Sequence, residues 1–296
     1  MRRIVNIVME KIFNQKTPEQ WLDVVGRKGG AFKDVPKKLK TPEFCLAAVQ
    51  KNGGALKYVP EELKTSEICL AAVQDWAGAL AFVPEGLKTP ELCLTAVQKT
   101  YTKPHVYRPV LEFVPEELKT AEICLAAVQH PGLREYQRPG YIIMSHSVSQ
   151  LFSHVPNALK TPELCLIAVQ NIPNALKYVP EELRTAEICL VAVCSDPNFI
   201  PLQYVPEALK TPELCLLAVQ QNGYALIDVP ESLKTQEMCL VAVQYGGGAL
   251  EYVPDDFKTA EMCLVALQDG DIIPPLEHVP ERLKNEVYNA LSEKRA

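Results

Sequence analysis

With 296 residues the chain has room for two ordinary domains, yet no Gly/Ser-rich or charge-rich stretch separates one half from the other, which directs attention to repeats. Hydrophobic residues at 48% and charged residues at 22% exclude a disordered or collagen-like chain. The formal net charge of −6 excludes a globally basic nucleic-acid binder, while a local basic patch remains compatible with it.

At the N-terminus, Met1-Arg2-Arg3 is followed by apolar residues that Asn6, Glu10 and Lys11 interrupt before a signal-peptide core is reached. Residues 1–16 are expected to form a capping helix around an amphipathic Ile4–Phe13 segment, a weak organelle-targeting peptide being the alternative. No stretch approaches the roughly 18 apolar residues of a membrane span. The expectation is a soluble, cytoplasmic chain with no signal peptide and no membrane partner.

From Thr17 onward one unit recurs. Val-Pro dipeptides begin at Val35, Val59, Val83, Val114, Val155, Val179, Val205, Val229, Val253 and Val279, and five of the nine intervals are 24 residues. Upstream of each lies Thr-x-Glu, from Thr17 to Thr259. The copy Thr211-Pro212-Glu213-Leu214-Cys215-Leu216-Leu217-Ala218-Val219-Gln220 opens with a helix start: threonine as N-cap, proline at the first helical position and an acid in the first turn. Its Leu-Cys-Leu-x-Ala-Val run is apolar on nearly every side, as in a helix sandwiched between neighbours. Asn52-Gly53-Gly54 and Gly246-Gly247-Gly248 are expected to end that helix with a left-handed residue. A second, shorter helix follows over Ala55–Val59, and Glu61–Lys64 makes one turn that buries Leu63. The predicted fold is all-α: an α-solenoid of about ten two-helix repeats of roughly 24 residues over 17–284, closed by a C-terminal capping helix at 285–296.

The run Asn222-Gly223-Tyr224-Ala225-Leu226, the pair Leu233-Lys234, and Glu237, Leu240, Ala242 and Val243 in the next helix resemble the helical repeats of the domain-of-unknown-function 4116 family, found mostly in bacteria and some large viruses. The resemblance covers about residues 17–285. The chain departs in having Thr-Pro where that family usually has Asn-Asp, a cysteine before the leucine, and Val-Pro where Ala-Ser is common. In unit length it is also similar to the leucine-rich repeat variant, another helical solenoid. The resemblance implies a helical repeat and brings no established activity.

Nine of the ten cysteines, Cys45 through Cys263, occupy one place in successive repeats. Stacked helices sit about 8–10 Å apart, beyond the Cα separation of about 7 Å that a disulfide closes. Reduced, buried thiols follow, and one thiol per repeat does not assemble a zinc site. Trp21 takes the same place in the first repeat. Cys194 instead replaces the helix-ending glutamine and is a candidate exposed thiol. Gln50, Gln74, Gln98, Gln129, Gln170, Gln220, Gln244 and Gln268 form a second ladder, read as capping helix-end carbonyls or bonding to each other, with peptide clamping as the alternative. The lysine before each Thr reads as one half of a solvated ion pair with the first-turn Glu.

The repeat breaks in two consecutive places. Eleven residues, Lys99 to Pro109, and then twenty-one, His130 to Gln150, occupy a link that takes four in most repeats. Leaving the same structural point, the insertions are expected to emerge from one edge about 10 Å apart. Five cations against the single acid Glu135 give them +4, leaving −10 on the rest. Tyr101, Lys103, His105, Tyr107, Arg108, Arg134, Tyr136, Arg138 and Tyr141 are the candidate partner-binding residues, since tyrosine and arginine dominate binding hot spots. The same mixture can stack on bases and hold phosphates. His105, His130, His146 and His154 lie in or beside the insertions, but their spacing does not define a metal site. No phosphate loop, nucleophile elbow or zinc-protease motif occurs. The functional expectation is a non-enzymatic protein-binding scaffold without cofactor or small-molecule substrate, with a nucleic-acid-binding solenoid as the alternative.

Overall fold

Each Thr-x-Glu segment starts a helix in the computed structural model, which describes residues 16–100, 109–130, 133, 150–195, 201–268 and 278–293. The chain divides into two compact units, 1–159 and 160–296. The first holds α1 (Pro18–Arg27), α2 (Pro42–Lys51), α3 (Ser66–Asp75), α4 (Pro90–Lys99) and α5 (Ala121–Val128). The second holds α6 (Pro162–Asn171), α7 (Ala186–Ser195), α8 (Pro212–Gln221), α9 (Gln236–Tyr245), α10 (Ala260–Gln268) and α11 (Glu281–Glu293). The capping helix expected at residues 4–13 lies outside the described residues.

The N-caps are as expected. The threonine hydroxyl accepts a backbone N–H three residues on, at 3.3 Å for Thr41 and Phe44 and 3.2 Å for Thr211 and Leu214, satisfying a donor that the helix leaves open. Hydrogen bonds from backbone N–H first, and from the threonine second, hold the Glu43, Glu91 and Glu163 carboxyls below the usual carboxylate range.

The helix ends differ from expectation. The closing residue is extended, with φ −157° at Asn52 and −153° at Asn222, and its N–H still reaches the carbonyl four residues back. Asn52 Oδ1 then accepts the Gly54 N–H at 3.1 Å and starts the next element, so no left-handed residue is needed. That element is a six-residue 3-10 helix, as at Gly53–Tyr58 and Gly223–Asp228, which Pro60 and Pro230 terminate. Glu61–Leu63 forms a further 3-10 turn in which Leu63 is only half-buried. Most of the described repeats are therefore one α-helix followed by two 3-10 segments.

Within each unit the α-helices pack on their sequence neighbours, and so do the longer 3-10 helices, giving the two layers of an α-solenoid. Between them lies a core made from the same positions of every repeat: Ile68, Cys69, Ala72 and Val73 of α3, then Ala79, Leu80 and Val83 behind it. The nine laddered cysteines are free and buried, and Trp21 is buried at the equivalent place. Among the described residues the structure is helical without strands, and no helix is long and apolar enough to cross a membrane.

The lysines before the threonines are not solvated. The side chains of Lys64, Lys88, Lys119, Lys210, Lys234 and Lys258 are 5–9% exposed, and several cations of the row reach the next repeat. Lys64 Nζ donates to the Phe82 carbonyl at 2.9 Å, Lys160 to Tyr178 at 2.9 Å, Lys210 to Asp228 at 3.0 Å and Lys234 to Tyr252 at 3.1 Å. Arg184 does the same to Tyr204 at 2.9 Å. The acid partner is three residues upstream, Glu61 for Lys64 at 2.8 Å, and not the first-turn glutamate. The row is a set of staples between repeats. Replacing Lys64 by Met is expected to cost about 2 kcal/mol in urea unfolding, because the Phe82 carbonyl loses its donor, whereas Lys64→Arg should cost less than half of that. Equal losses for both variants would reject the staple.

The C-terminal helix begins at Glu281, four residues before the expected start. Val279-Pro280-Glu281 repeats the sequence of the turn, and the helix runs on through Asn285, the position of the capping threonine in earlier repeats. Arg282 ties it to the preceding turn through the carbonyls of Asp255 (2.6 Å) and Lys258 (3.0 Å).

Candidate partner-binding surface

The nine candidate residues, Tyr101, Lys103, His105, Tyr107, Arg108, Arg134, Tyr136, Arg138 and Tyr141, all lie outside the described residues. Their roots are described. The first insertion leaves α4 through Thr100, a buried residue whose hydroxyl donates to the Ala96 carbonyl at 3.0 Å, and returns at the buried Val110. The second leaves at Gln129 and His130, carries the buried Leu133, and returns at the buried Leu151 and Phe152. The two roots touch: the His130 Nε2–H donates to the Gln98 carbonyl at 2.9 Å. The roots thus lie together, and the His130 ring is committed to a backbone acceptor.

The α-helices turn one face outward. Glutamate at the second helical position, leucine at the fifth, a small or branched apolar residue at the sixth and glutamine at the ninth share it, by the i, i+3, i+4, i+7 spacing. The helices are thus less completely enclosed than their composition suggests: Leu70 is 39% exposed, Leu125 36% and Leu190 43%. The glutamates of this face, Glu43 to Glu261, are exposed, and the lysines pair with turn acids instead. In the second unit α6 to α10 carry five glutamates and no lysine or arginine. The glutamines described, including Gln50, Gln74, Gln170 and Gln220, are exposed on this face and not folded onto helix-end carbonyls. Cys194 is exposed in the glutamine position.

The 3-10 layer presents a half-buried aromatic row, Tyr58, Phe82 and Phe113 in one unit and Tyr178, Tyr204 and Tyr252 in the other. Lys57 Nζ lies 5.7 Å from the Tyr58 ring centre and 5.6 Å from that of Phe82, a cation shared between two repeats. Its signal in the sequence is the Tyr or Phe before six of the ten Val-Pro pairs.

The model of a family described as "Domain of unknown function (DUF4116)" matches residues 18–64, 161–210, 187–234 and 211–258. This chain carries DUF4116 repeats. No curated protein and no solved structure matches it. In the first unit the matched segment contains Thr41, Cys45 and Lys64, and in the second the matches contain the caps, laddered cysteines and cations from Thr161 to Lys258. Residues 65–160, with both insertions, fall outside them.

Proposed function

We propose that this protein is a non-catalytic binding scaffold for another protein, which docks on the outward face of the α-helices and on the two insertions beside it. The observation that carries this reading is the row of outward leucines, repeated on helix after helix and bordered by glutamate and glutamine. Such a row adds nothing to the core of its own repeat, yet offers an apolar strip with polar margins, the anatomy of a protein interface. Exposed glutamates along the strip disfavour a polyanionic ligand. The first-turn glutamates and the turn acids paired with the lysines have structural roles, which accounts for them without acid–base catalysis. Buried free thiols suit a reducing cytoplasm. The DUF4116 repeats suit a bacterial setting, with a secreted toxin or a host protein as partner.

The test is capture from the native cell with three chains: the intact protein, one with Leu70, Leu94 and Leu125 changed to Gln, and one with Lys99–Pro109 and His130–Gln150 cut to four residues each. Both variants should keep their helical spectrum and lose a protein partner at least about tenfold, which is about 1.4 kcal/mol. Retention by both variants, or capture abolished by nuclease and by moving from about 50 to 200 mM salt, would overturn the reading.

A further inference from the structure

Two residues before the valine of Val-Pro the chain places a lysine in three repeats, Lys33, Lys57 and Lys177, and other residues in the rest. In the first unit Lys57 extends from the Gly53–Tyr58 3-10 helix over the Phe82 ring of the following repeat and over its own neighbour Tyr58. In the second unit Lys177 takes the same position over Tyr178, at 5.6 Å. The chain thus supplies its own cation to the aromatic row.

In the Gly223–Asp228 repeat the alignment on Val-Pro puts Ile227 where Lys57 stands, Asp228 where Tyr58 stands, Glu251 where Ala81 stands and Tyr252 where Phe82 stands. The cation is gone, the receiving ring is kept, and two carboxylates have been added. Ile227 is 54% exposed, large for an isoleucine. Beside it runs an open groove of about 360 Å3 lined by Ile227, Glu231, Lys234, Glu251, Tyr252 and the Val253-Pro254 backbone corner. Lys234 does not supply the missing charge: its Nζ is turned down to Glu231 at 2.6 Å and to the Tyr252 carbonyl at 3.1 Å as a staple. What remains is an apolar floor, an aromatic wall and an acidic rim.

We propose that this groove receives the side chain of an arginine or lysine from a protein partner. The aliphatic stem would lie on Ile227, and the cationic head would reach the Tyr252 ring and the Glu251 carboxylate. The partner's residue takes the place that Lys57 fills elsewhere in the chain. Cation–π attraction and a nearby carboxylate both favour the charged head, and the stem covers exposed isoleucine. The proposal takes its source of the cation, a protein, from the binding reading above. It concerns the 3-10 layer, however, so either face can fail without the other.

The experiment is a titration of the full chain followed by the Ile227 methyl and Tyr252 ring resonances. The probe is the capped tripeptide Gly-Arg-Gly, and its controls are the uncharged citrulline analogue and spermidine. The arginine peptide should give saturable shifts with millimolar dissociation, at least about fivefold tighter than the citrulline analogue, as loss of charge at such a site implies. Ile227→Lys should abolish the response while leaving thermal unfolding unchanged, because Lys57 shows that the repeat accommodates its own lysine. Glu251→Gln should weaken binding several-fold. Equal response to citrulline, absence of saturation, or undiminished binding to Ile227→Lys would overturn the proposal. Saturation by spermidine without response to the peptide would also overturn it, in favour of a free polyamine.

Discussion

Raising the pH from 9 to 11 is expected to destabilise this protein steeply, beginning below the point at which its ordinary lysines lose half their charge. Burial pushes the thiols of Cys69, Cys93, Cys124, Cys165, Cys189 and Cys239 up to about 11 from an ordinary value of 9.0. Cys45, Cys215 and Cys263 move in the same direction for the same reason. Between those two pH values the native chain keeps protons that the unfolded chain has released. Stability is unaffected below pH 9 and falls through this window, by up to about 1.4 kcal/mol per pH unit for each thiol that ionises only on unfolding. Burial lowers Lys40 and Lys160, which acts in the opposite sense below 10.5, but two amines oppose nine thiols. Against a total stability of about 5–15 kcal/mol, the thiols decide the outcome. Thermal melts in reductant at pH 8, 9, 10 and 11 measure it, and changing Cys69, Cys93 and Cys124 to Ala should flatten the pH slope by about a third, in proportion to the thiols removed. A midpoint that stays constant from pH 9 to 11 would show that these sulfurs do not hold their protons in the core.

Gly223→Ala is expected to cost about 3 kcal/mol, the upper part of the range for forcing extra volume into a packed site. An added methyl would overlap the Ala242 carbonyl oxygen of the next helix and lie 3.0 Å from the Gly246 nitrogen. Neither is the end of a flexible side chain. Gly53 faces the Ala72 carbonyl in the same manner, and at Gly29 the methyl would stand 2.6 Å from Asn52 Oδ1. In these three cases the next repeat has the short link of four residues. Where the next link is longer, a Cβ is accepted: Ala77 precedes the repeat with the Lys99–Pro109 insertion, and Pro173 precedes the longer link after Ser195. The glycine thus answers to the neighbour's geometry and not to its own turn. Gly86, with nothing within 4 Å of an added methyl, is the control and should change stability by less than about 0.5 kcal/mol on substitution by Ala. Equal urea midpoints for the two alanine variants would sink the close-approach argument.

Neighbouring repeats pack on one another along each unit, so a defect at one glycine is expected to weaken its unit as a stack and to broaden its unfolding. The lysine staples have the same character. Lys64 and Phe82 are 18 residues apart, and the acceptor is a backbone carbonyl, which no side-chain pattern announces. The first-turn glutamate looked like the natural partner because it recurs at the same distance on the other side.

What the sequence determined by itself was whatever depends on residues within about one helical turn: the threonine caps, the starts of the α-helices, their period and the inward side of the cysteines. The insertions were legible as departures from that period, and the contact between His130 and Gln98 places their roots together as the shared link position implied. Only the tertiary structure decided the rest. Ala55, Leu56 and Val59 fit an α-helix and a 3-10 helix equally well, and the choice fell to Asn52 and Pro60 at the two ends of a six-residue space set by the packed layers. Which leucine faces outward, where each lysine points and why Gly223 is glycine all depend on an adjoining repeat, and contacts one repeat away leave no local trace in the chain that makes them.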